Sequence, residues 1–276
     1  MARLVLCALG DLLLDVIVRL EQPLEVGTDA AALTRTGAGG QAANVAAWAA
    51  SLGAEARFVG KRGDDPAASL AAGELARLGV EIFGPIASGR NGVVVSIVGE
   101  DGDRAMLSDR GVAPTLSADE LEPAWFEGCS HIHLSGYSLM SSPIDGAAAR
   151  AVELVRSAGG SVSVDLASTR VIRDFGPGRL RRTLEDLRPE FVFANEGERE
   201  AVGRESAAEA TWVLKLGAAG CAVEREDGRK EYPAVLARVV DTTGAGDAFA
   251  AGYLVGGVQL ALETAARCVS RLGASP

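Results

Sequence analysis

The sequence predicts an α/β fold: a doubly wound, mostly parallel sheet with a small inserted β-sheet. Three observations predict it. From Ser130 onward, apolar runs near His131–Leu134, Ser161–Val164, Phe191–Phe193 and Trp212–Leu216 alternate with helical patterns near Ile144–Ser157, Gly178–Leu187 and Gly197–Val202. Strands alternating with helices imply a parallel sheet covered on both faces. Hydrophobic residues make up 48% of the chain but aromatics only 5%, and a core of Ala, Val and Leu suits helices packed on a buried sheet. Segments near 13–38 and 92–108 alternate polar and apolar residues, a half-exposed pattern foreign to a doubly wound core. They are expected to form the small sheet. Ligands of open α/β sheets bind at the carboxyl ends of the strands, so a sheet projecting there would act as a lid.

The elements follow in order. Arg3–Leu9 is a compact apolar run ending in Gly10-Asp11, read as a central strand. Asp11 interrupts the run, so the N-terminus reads as that strand rather than a signal peptide. Asp15–Leu20 alternates as a half-exposed strand, and a Gly-rich turn at Gly37–Gly40 opens an Ala-rich helix to about Leu52, closed by Gly53. Arg57–Gly60 is a strand, and Pro66–Leu78 a helix ending at Gly79. Val93–Val98 and Arg104–Leu107 form a hairpin around Glu100–Asp103. Cys221–Arg225 and Arg229–Pro233 form a second, around Asp227-Gly228. A helix pair fills Gly244–Leu272. No repeat, low-complexity segment or linker intervenes, so residues 1–276 read as one domain.

Composition narrows the partners. The net charge is −10 and no Lys/Arg run reaches four, so neither a nucleic acid nor an anionic membrane is expected. No apolar stretch reaches the about 18 residues that span a bilayer. Cys7, Cys129, Cys221 and Cys268 lie too far apart for a CxxC metal pattern or a disulfide framework. They read as buried thiols in a reducing compartment, and the expected location is cytoplasmic. His131 and His133 read as ordinary strand residues, since no acid or Cys partner has metal-site spacing.

The chemistry concentrates at Asp241-Thr242-Thr243-Gly244-Ala245-Gly246-Asp247-Ala248-Phe249, between the short apolar run Arg238–Val240 and the helical stretch Ala248–Val255. Strand, Gly-rich turn and helix start together make an anion site from free backbone N–H groups. Asp247 sits at the helix start, where the dipole favours its charged form. The same residues would also serve as an Asp cap behind a Gly turn. Competing phosphate motifs are missing: there is no GxxxxGK[ST], no HRDxxxxN, and no GxGxxG after the first strand.

With Gly39-Gly40-Gln41-Ala42-Ala43-Asn44-Val45-Ala46 upstream and Asp241–Asp247 downstream, the chain resembles the ribokinase-like, or PfkB, carbohydrate kinase family from Gly10 to Gly273-Ala274. The resemblance implies a ribokinase-like α/β domain with a β lid and an ATP-dependent kinase that phosphorylates a hydroxyl of a sugar or sugar-like acceptor. It implies Asp247 as general base and the Gly244, Ala245 and Gly246 backbone as anion hole. Asp15, Gly39, Gly40 and Asn44 match positions that bind sugar hydroxyls, and the lid strand would aim Arg104 at the substrate. Asn195 and Glu198 match the N-x-x-E motif that positions Mg²⁺, water and nucleotide phosphates. Lys215, Gly217, Gly220 and Thr242 fall at nucleotide-binding positions. Asp241, Thr243 and the terminal Gly273-Ala274-Ser275 match a potassium site, and the lid is a candidate homodimer surface. Two departures bear on the acceptor. Leu13 stands where ribokinases carry Asn, against free ribose. The family pattern D-x-N-x-R reads Asp165-Leu166-Ala167-Ser168-Thr169-Arg170, without the Asn and with Arg one place late, against a 2-keto-3-deoxygluconate or fructose type. The rivals are a nucleoside or pseudouridine kinase of the same fold, and a non-catalytic ligand-binding relative. Lid segments without Trp or Tyr lean toward a sugar.

Overall fold

The computed structural model describes residues 3–99 and 104–276, with Arg104 as backbone alone. The predicted turn at Glu100–Asp103 and the side chain of Arg104 therefore lie outside the described residues.

The chain opens with β1 (Val5–Leu9), fully buried from Leu6. It leaves the core for β2 (Leu13–Leu20) and β3 (Ala32–Gly39), and returns through α1 (Gln41–Ser51) and β4 (Glu55–Val59). α2 (Pro66–Arg77) starts as its sequence directs: the Asp65 side chain accepts from Ala68 N–H and Pro66 sits in the first turn. β5 (Glu81–Phe83) follows, then β6 (Asn91–Val98) and β7 (Arg104–Gly111). The regular half comprises β8 (His131–Ser135), α3 (Gly136–Leu139), α4 (Ile144–Ser157), β9 (Ser161–Asp165), α5 (Thr169–Phe175), α6 (Pro177–Leu187), β10 (Phe191–Asn195), α7 (Glu196–Val202) and β11 (Thr211–Lys215). The chain closes with the hairpin β12 (Cys221–Arg225) and β13 (Gly228–Tyr232), then α8 (Ala245–Val269).

Two sheets result. The large one runs β13-β12-β11-β10-β9-β8-β1-β4-β5, and only its last hairpin is antiparallel. One apolar cluster covers each face: α4, α5 and α6 contribute to one, and α1, α2 and α8 to the other. The small sheet runs β3-β2-β6-β7. Strand order reverses between β1 and β8, the switch point where open α/β sheets form their ligand crevice. Trp48, fully buried in α1, donates from Nε1 to the Ala274 carbonyl at 2.7 Å and ties the C-terminal segment to the core.

Four details differ from the sequence reading. Gly37–Gly40 is not a turn: β3 runs through Gly39, paired residue by residue with β2. Arg238–Val240 is not a strand. The sheet edge is already filled by β13, so residues 233–240 run irregularly and their apolar side chains Val235, Leu236 and Val239 line a cavity instead. α5 was not expected; the Ser168 hydroxyl accepts from Val171 N–H and starts it. Finally, α8 has 25 residues and is apolar enough by length and composition to pass for a membrane span. It breaks at Gly256-Gly257, where the backbone is non-helical, and packs on α1, as a core helix does. The break accounts for the predicted helix pair.

Candidate active site

A cavity of about 560 Å³ lies over the switch point, between the carboxyl ends of the core strands, the small sheet and the start of α8. Asp15, Gly40 and Asn44 line one side, Asn195, Glu198, Lys215 and Gly217 another, and Thr242, Thr243, Gly244, Gly246 and Asp247 a third. Of the other expected residues, Gly220 and Ala245 line an adjoining cavity, while Gly39 and Asp241 lie just behind the walls.

On the first side, Asp15 projects from β2 over β3. A Cβ on Gly39 would stand 2.0 Å from Asp15 Oδ1, so only glycine lets the carboxylate lie there. Burial, followed by Glu74 and Asp241, pushes Asp15 up to about 7. Glu74 of α2 accepts from Ala38 N–H at 2.9 Å and fixes the glycine stretch of β3. One turn into α1, Asn44 is buried, and its Nδ2 donates to Asp247 Oδ2 at 2.8 Å. The motif that opens α1 and the Gly-rich loop thus meet side chain to side chain.

The loop is held from behind. Asp241 accepts from Thr243 N–H (2.8 Å) and Oγ1 (2.7 Å) through Oδ1, and from Gly273 N–H (2.9 Å) through Oδ2. Gly244 caps α8 in the left-handed region at φ 74°, where an added Cβ would strike Ala274 Cβ at 2.5 Å. Asp247 is the third residue of α8, so its carboxylate lies beside the helix's unpaired N–H groups. The dipole does not govern its charge as the sequence suggested. Burial is the largest influence and Asp165 adds to it; against Asn44 and Lys215 they push Asp247 up to about 7.

The third group surrounds Lys215, the last residue of β11. Its Nζ donates to both oxygens of Asp165 at 2.8 and 2.7 Å and lies 3.2 Å from where a Cβ on Gly246 would sit. Asp165 is 0% exposed, so the pair is buried on its acidic side. Burial lowers the Lys215 pKa, but Asp165 and Glu198 outweigh it and the net shift is upward. Asn195 and Glu198 form a reciprocal capping box at the start of α7: Asn195 Oδ1 accepts from Glu198 N–H at 2.8 Å, and Glu198 Oε2 from Asn195 N–H at 2.9 Å. Glu198 is buried and burial raises its pKa. Its Oε1 has no hydrogen bond among the described residues. One carboxylate oxygen on a cavity wall suits a hard cation that keeps most of its water and is otherwise bound by substrate phosphates, so the residues fit Mg²⁺. Among the described residues no cluster of three acidic, His or Cys side chains forms a tighter cage. The adjoining cavity, about 390 Å³, is mostly apolar, with Leu236, Val239, Phe249 and Leu262 in its walls.

Sequence reasoning missed several lining residues. Asp11, two residues past the end of β1, pairs with Arg110 of β7 at 2.6 and 3.0 Å. Tyr137 brings an aromatic ring from beyond β8, outside the lid segments where one was sought. Ser135 donates to Gln41 Oε1 at 2.6 Å. Asp11 stood beside a named motif and Asp165 inside an incomplete one, so position in a motif was the available signal for both. Arg110 and Tyr137 carried none. His131 and His133 are buried, hydrogen-bonded to Ser161 and Ser163, and pushed down to about 3 mainly by burial.

The pfkB family of carbohydrate kinases matches residues 4–275. The ATP-dependent ribose-1-phosphate kinase of Halopiger xanaduensis is 32% identical over 270 residues, spanning 92% of this chain and 86% of that protein. Adenosine kinase from Sinorhizobium meliloti superposes with a TM-score of 0.85 at 23% identity, over 100% of this chain and 96% of that one. A protein from Escherichia coli solved with ATP and Mg²⁺ gives a TM-score of 0.80 at 22% identity, over 99% and 94%. At these identities the two structures establish the fold.

Proposed function

The chain belongs to the pfkB family of carbohydrate kinases, and we propose that it transfers the γ-phosphoryl group of ATP to a hydroxyl of a sugar or sugar-like acceptor held between Asp15, Asn44 and Asp247. The observation that carries this reading is the Asn44–Asp247 hydrogen bond, which places the acceptor-side asparagine on the carboxylate of the Gly-rich loop. The acceptor oxygen attacks the γ-phosphorus, the bond to the ADP oxygen breaks, and the hydroxyl proton passes to Asp247. Such transfer asks mainly for positioning and charge neutralisation. Backbone amides of Gly244–Gly246 and the Lys215 ammonium supply positive potential where the phosphoryl group passes. The apolar cavity beside Phe249 takes the adenine. Bound Mg²⁺, positioned through Glu198 and water, would neutralise phosphate charge. The small sheet covers the acceptor and excludes water that would hydrolyse ATP. The free, buried cysteines fit the cytoplasmic setting expected from the sequence.

ADP release from ATP across a panel of sugars and nucleosides tests the reading. ATP binding without ADP release for any acceptor would make the protein a non-catalytic binder. Tyr137 gives one specific reason to keep nucleosides in the panel, since it brings an aromatic ring to the cavity lining.

Asp15→Ala should raise the acceptor KM about 10- to 100-fold, the loss of a charged hydrogen bond, and leave the ATP Kd within a few-fold. An equal loss of ATP affinity would move Asp15 out of the acceptor site. For potassium, the Asp241 loop and the terminal segment that it binds support a modest rate increase in K⁺ over Na⁺ buffers. Equal rates in the two would remove that site.

A further inference from the structure

Resting on the kinase reading, we infer that the acceptor carries an anionic oxyacid group, phosphate or carboxylate, read by the open edge of the Arg110 guanidinium. Arg110 lines the acceptor side of the cavity. Its Nε and Nη2 are spent on the two oxygens of Asp11, at 2.6 and 3.0 Å. A guanidinium has five N–H donors in a planar fork, so one bidentate partner leaves the Nη1–Nη2 edge unused. The hydrogen bonds of the group among the described residues are those of Nε and Nη2, and Nη1 makes none. The group is fixed rather than waving: Asp11 is 8% exposed and Arg110 24%, and Tyr137 lies 5.7 Å beneath the guanidinium. Arg110 also sits where β7 meets the core, one residue before the Asn91–Gly111 pair. Buried Asn91 anchors that base by donating to the Leu12 carbonyl and accepting from Gly63 N–H.

The sheet register places this edge relative to the reaction. Asp15, Val94 and Ser108 form one cross-strand row over the cavity. Arg110 follows Ser108 by two residues on the same face of β7, about 7 Å along the strand. Gly92 separates it from Leu13 without contributing a side chain. An acceptor whose hydroxyl end reaches Asp247 and whose middle meets Asp15 and Asn44 therefore offers its far end to Arg110. Asp11, Asp15, Asp165, Glu198 and Asp247 all line the cavity, so the edge acts through its free N–H donors rather than through net positive charge. Asp165 is held by Lys215 at the opposite end, and Asp11 is the clamp that orients the fork. Planar bidentate recognition of carboxylate or phosphate is what a fixed guanidinium edge does best. A neutral sugar offers that edge only single hydroxyl acceptors, without the charge or the two-oxygen match of an oxyacid.

The test compares kcat/KM for matched acceptors: ribose as the neutral member, ribose 1-phosphate and ribose 5-phosphate as phosphates, and ribonate as the carboxylate. Wild type should prefer at least one anionic arm over ribose by about 10- to 100-fold, and the winning arm distinguishes phosphate from carboxylate. Arg110→Gln should collapse that anionic-to-neutral ratio by at least tenfold, and Arg110→Lys should restore only part of it, since charge returns without the fork. ATP binding by each variant checks that the fold is intact. A preference for ribose in wild type, or an equal loss for all acceptors in Arg110→Gln, would overturn the subsite and leave the kinase reading standing. No ADP from any arm, nor from the wider panel, would overturn both.

Discussion

Asp247→Asn is expected to lower kcat by about two to four orders of magnitude, with the ATP Kd within a few-fold of wild type. Asn keeps the size of the side chain and an oxygen for the Asn44 Nδ2 bond, now 2.8 Å long, but cannot take the acceptor proton. It also removes a negative charge beside the phosphates, so nucleotide affinity should hold or tighten. The pH profile follows from the same group. Burial, reinforced by Asp165, places Asp247 at about 7. A base must be unprotonated to work, so kcat/KM should rise with pH and level off above about 7. Asp15, also raised to about 7, bends the profile the same way if its carboxylate form binds the acceptor. Retention of more than about a tenth of wild-type kcat, with chemistry rate-limiting, would falsify the base role. Loss of folding would instead mean that Asp247 chiefly holds the start of α8 against α1 through Asn44.

Much of this was legible in the residues because local rules and the global fold agree. Ile144–Ser157 was delimited correctly, its apolar positions being those that α4 buries in the core. The glycine stretch misled because glycine marks both turns and close approaches. Gly37–Gly39 continue β3, and Gly39 is glycine because the Asp15 carboxylate occupies the space of its side chain. Arg238–Val240 misled because an apolar run satisfies a cavity wall as well as a strand, and periodicity does not separate the two. The site was legible where motifs carry it and opaque where only topology does. Asp11 and Arg110 are 99 positions apart, and Asp165 and Lys215 are 50 apart. Asp165 and Lys215 meet because β9 and β11 end on the same side of one sheet, and Asp11 meets Arg110 because the base of β7 in the small sheet lies against the end of β1. The charge state of Asp247 needed the structure for a further reason. Burial and the neighbouring Asp165, neither visible in the sequence, raise its pKa.

Lys215→Met should cost both stability and turnover, and a second substitution separates the two. Removing the ammonium leaves Asp165, 0% exposed, without its cation. Breaking a buried pair costs about 3–5 kcal/mol. The Lys215 side chain is 20% exposed, so water reaches this pair and the lower end applies. At roughly 2 cal/mol/K of unfolding entropy per residue, 3 kcal/mol lowers Tm by about 5 °C in a chain of this size. Turnover should fall further, by about 10²–10³, the loss of one preorganised positive group at a developing charge. Asp165→Asn in the Lys215→Met background removes the orphaned carboxylate and should recover most of the lost Tm. It should not recover kcat, because nothing restores positive charge beside Gly246. The pH profile provides an independent check. Lys215 lowers the Asp247 pKa and Asp165 raises it. The single variant should therefore shift the rise in kcat/KM to higher pH, and the double variant should shift it back. Recovery of more than about a tenth of wild-type kcat in the double variant would show that Lys215 serves only to neutralise Asp165 and takes no part in phosphoryl transfer.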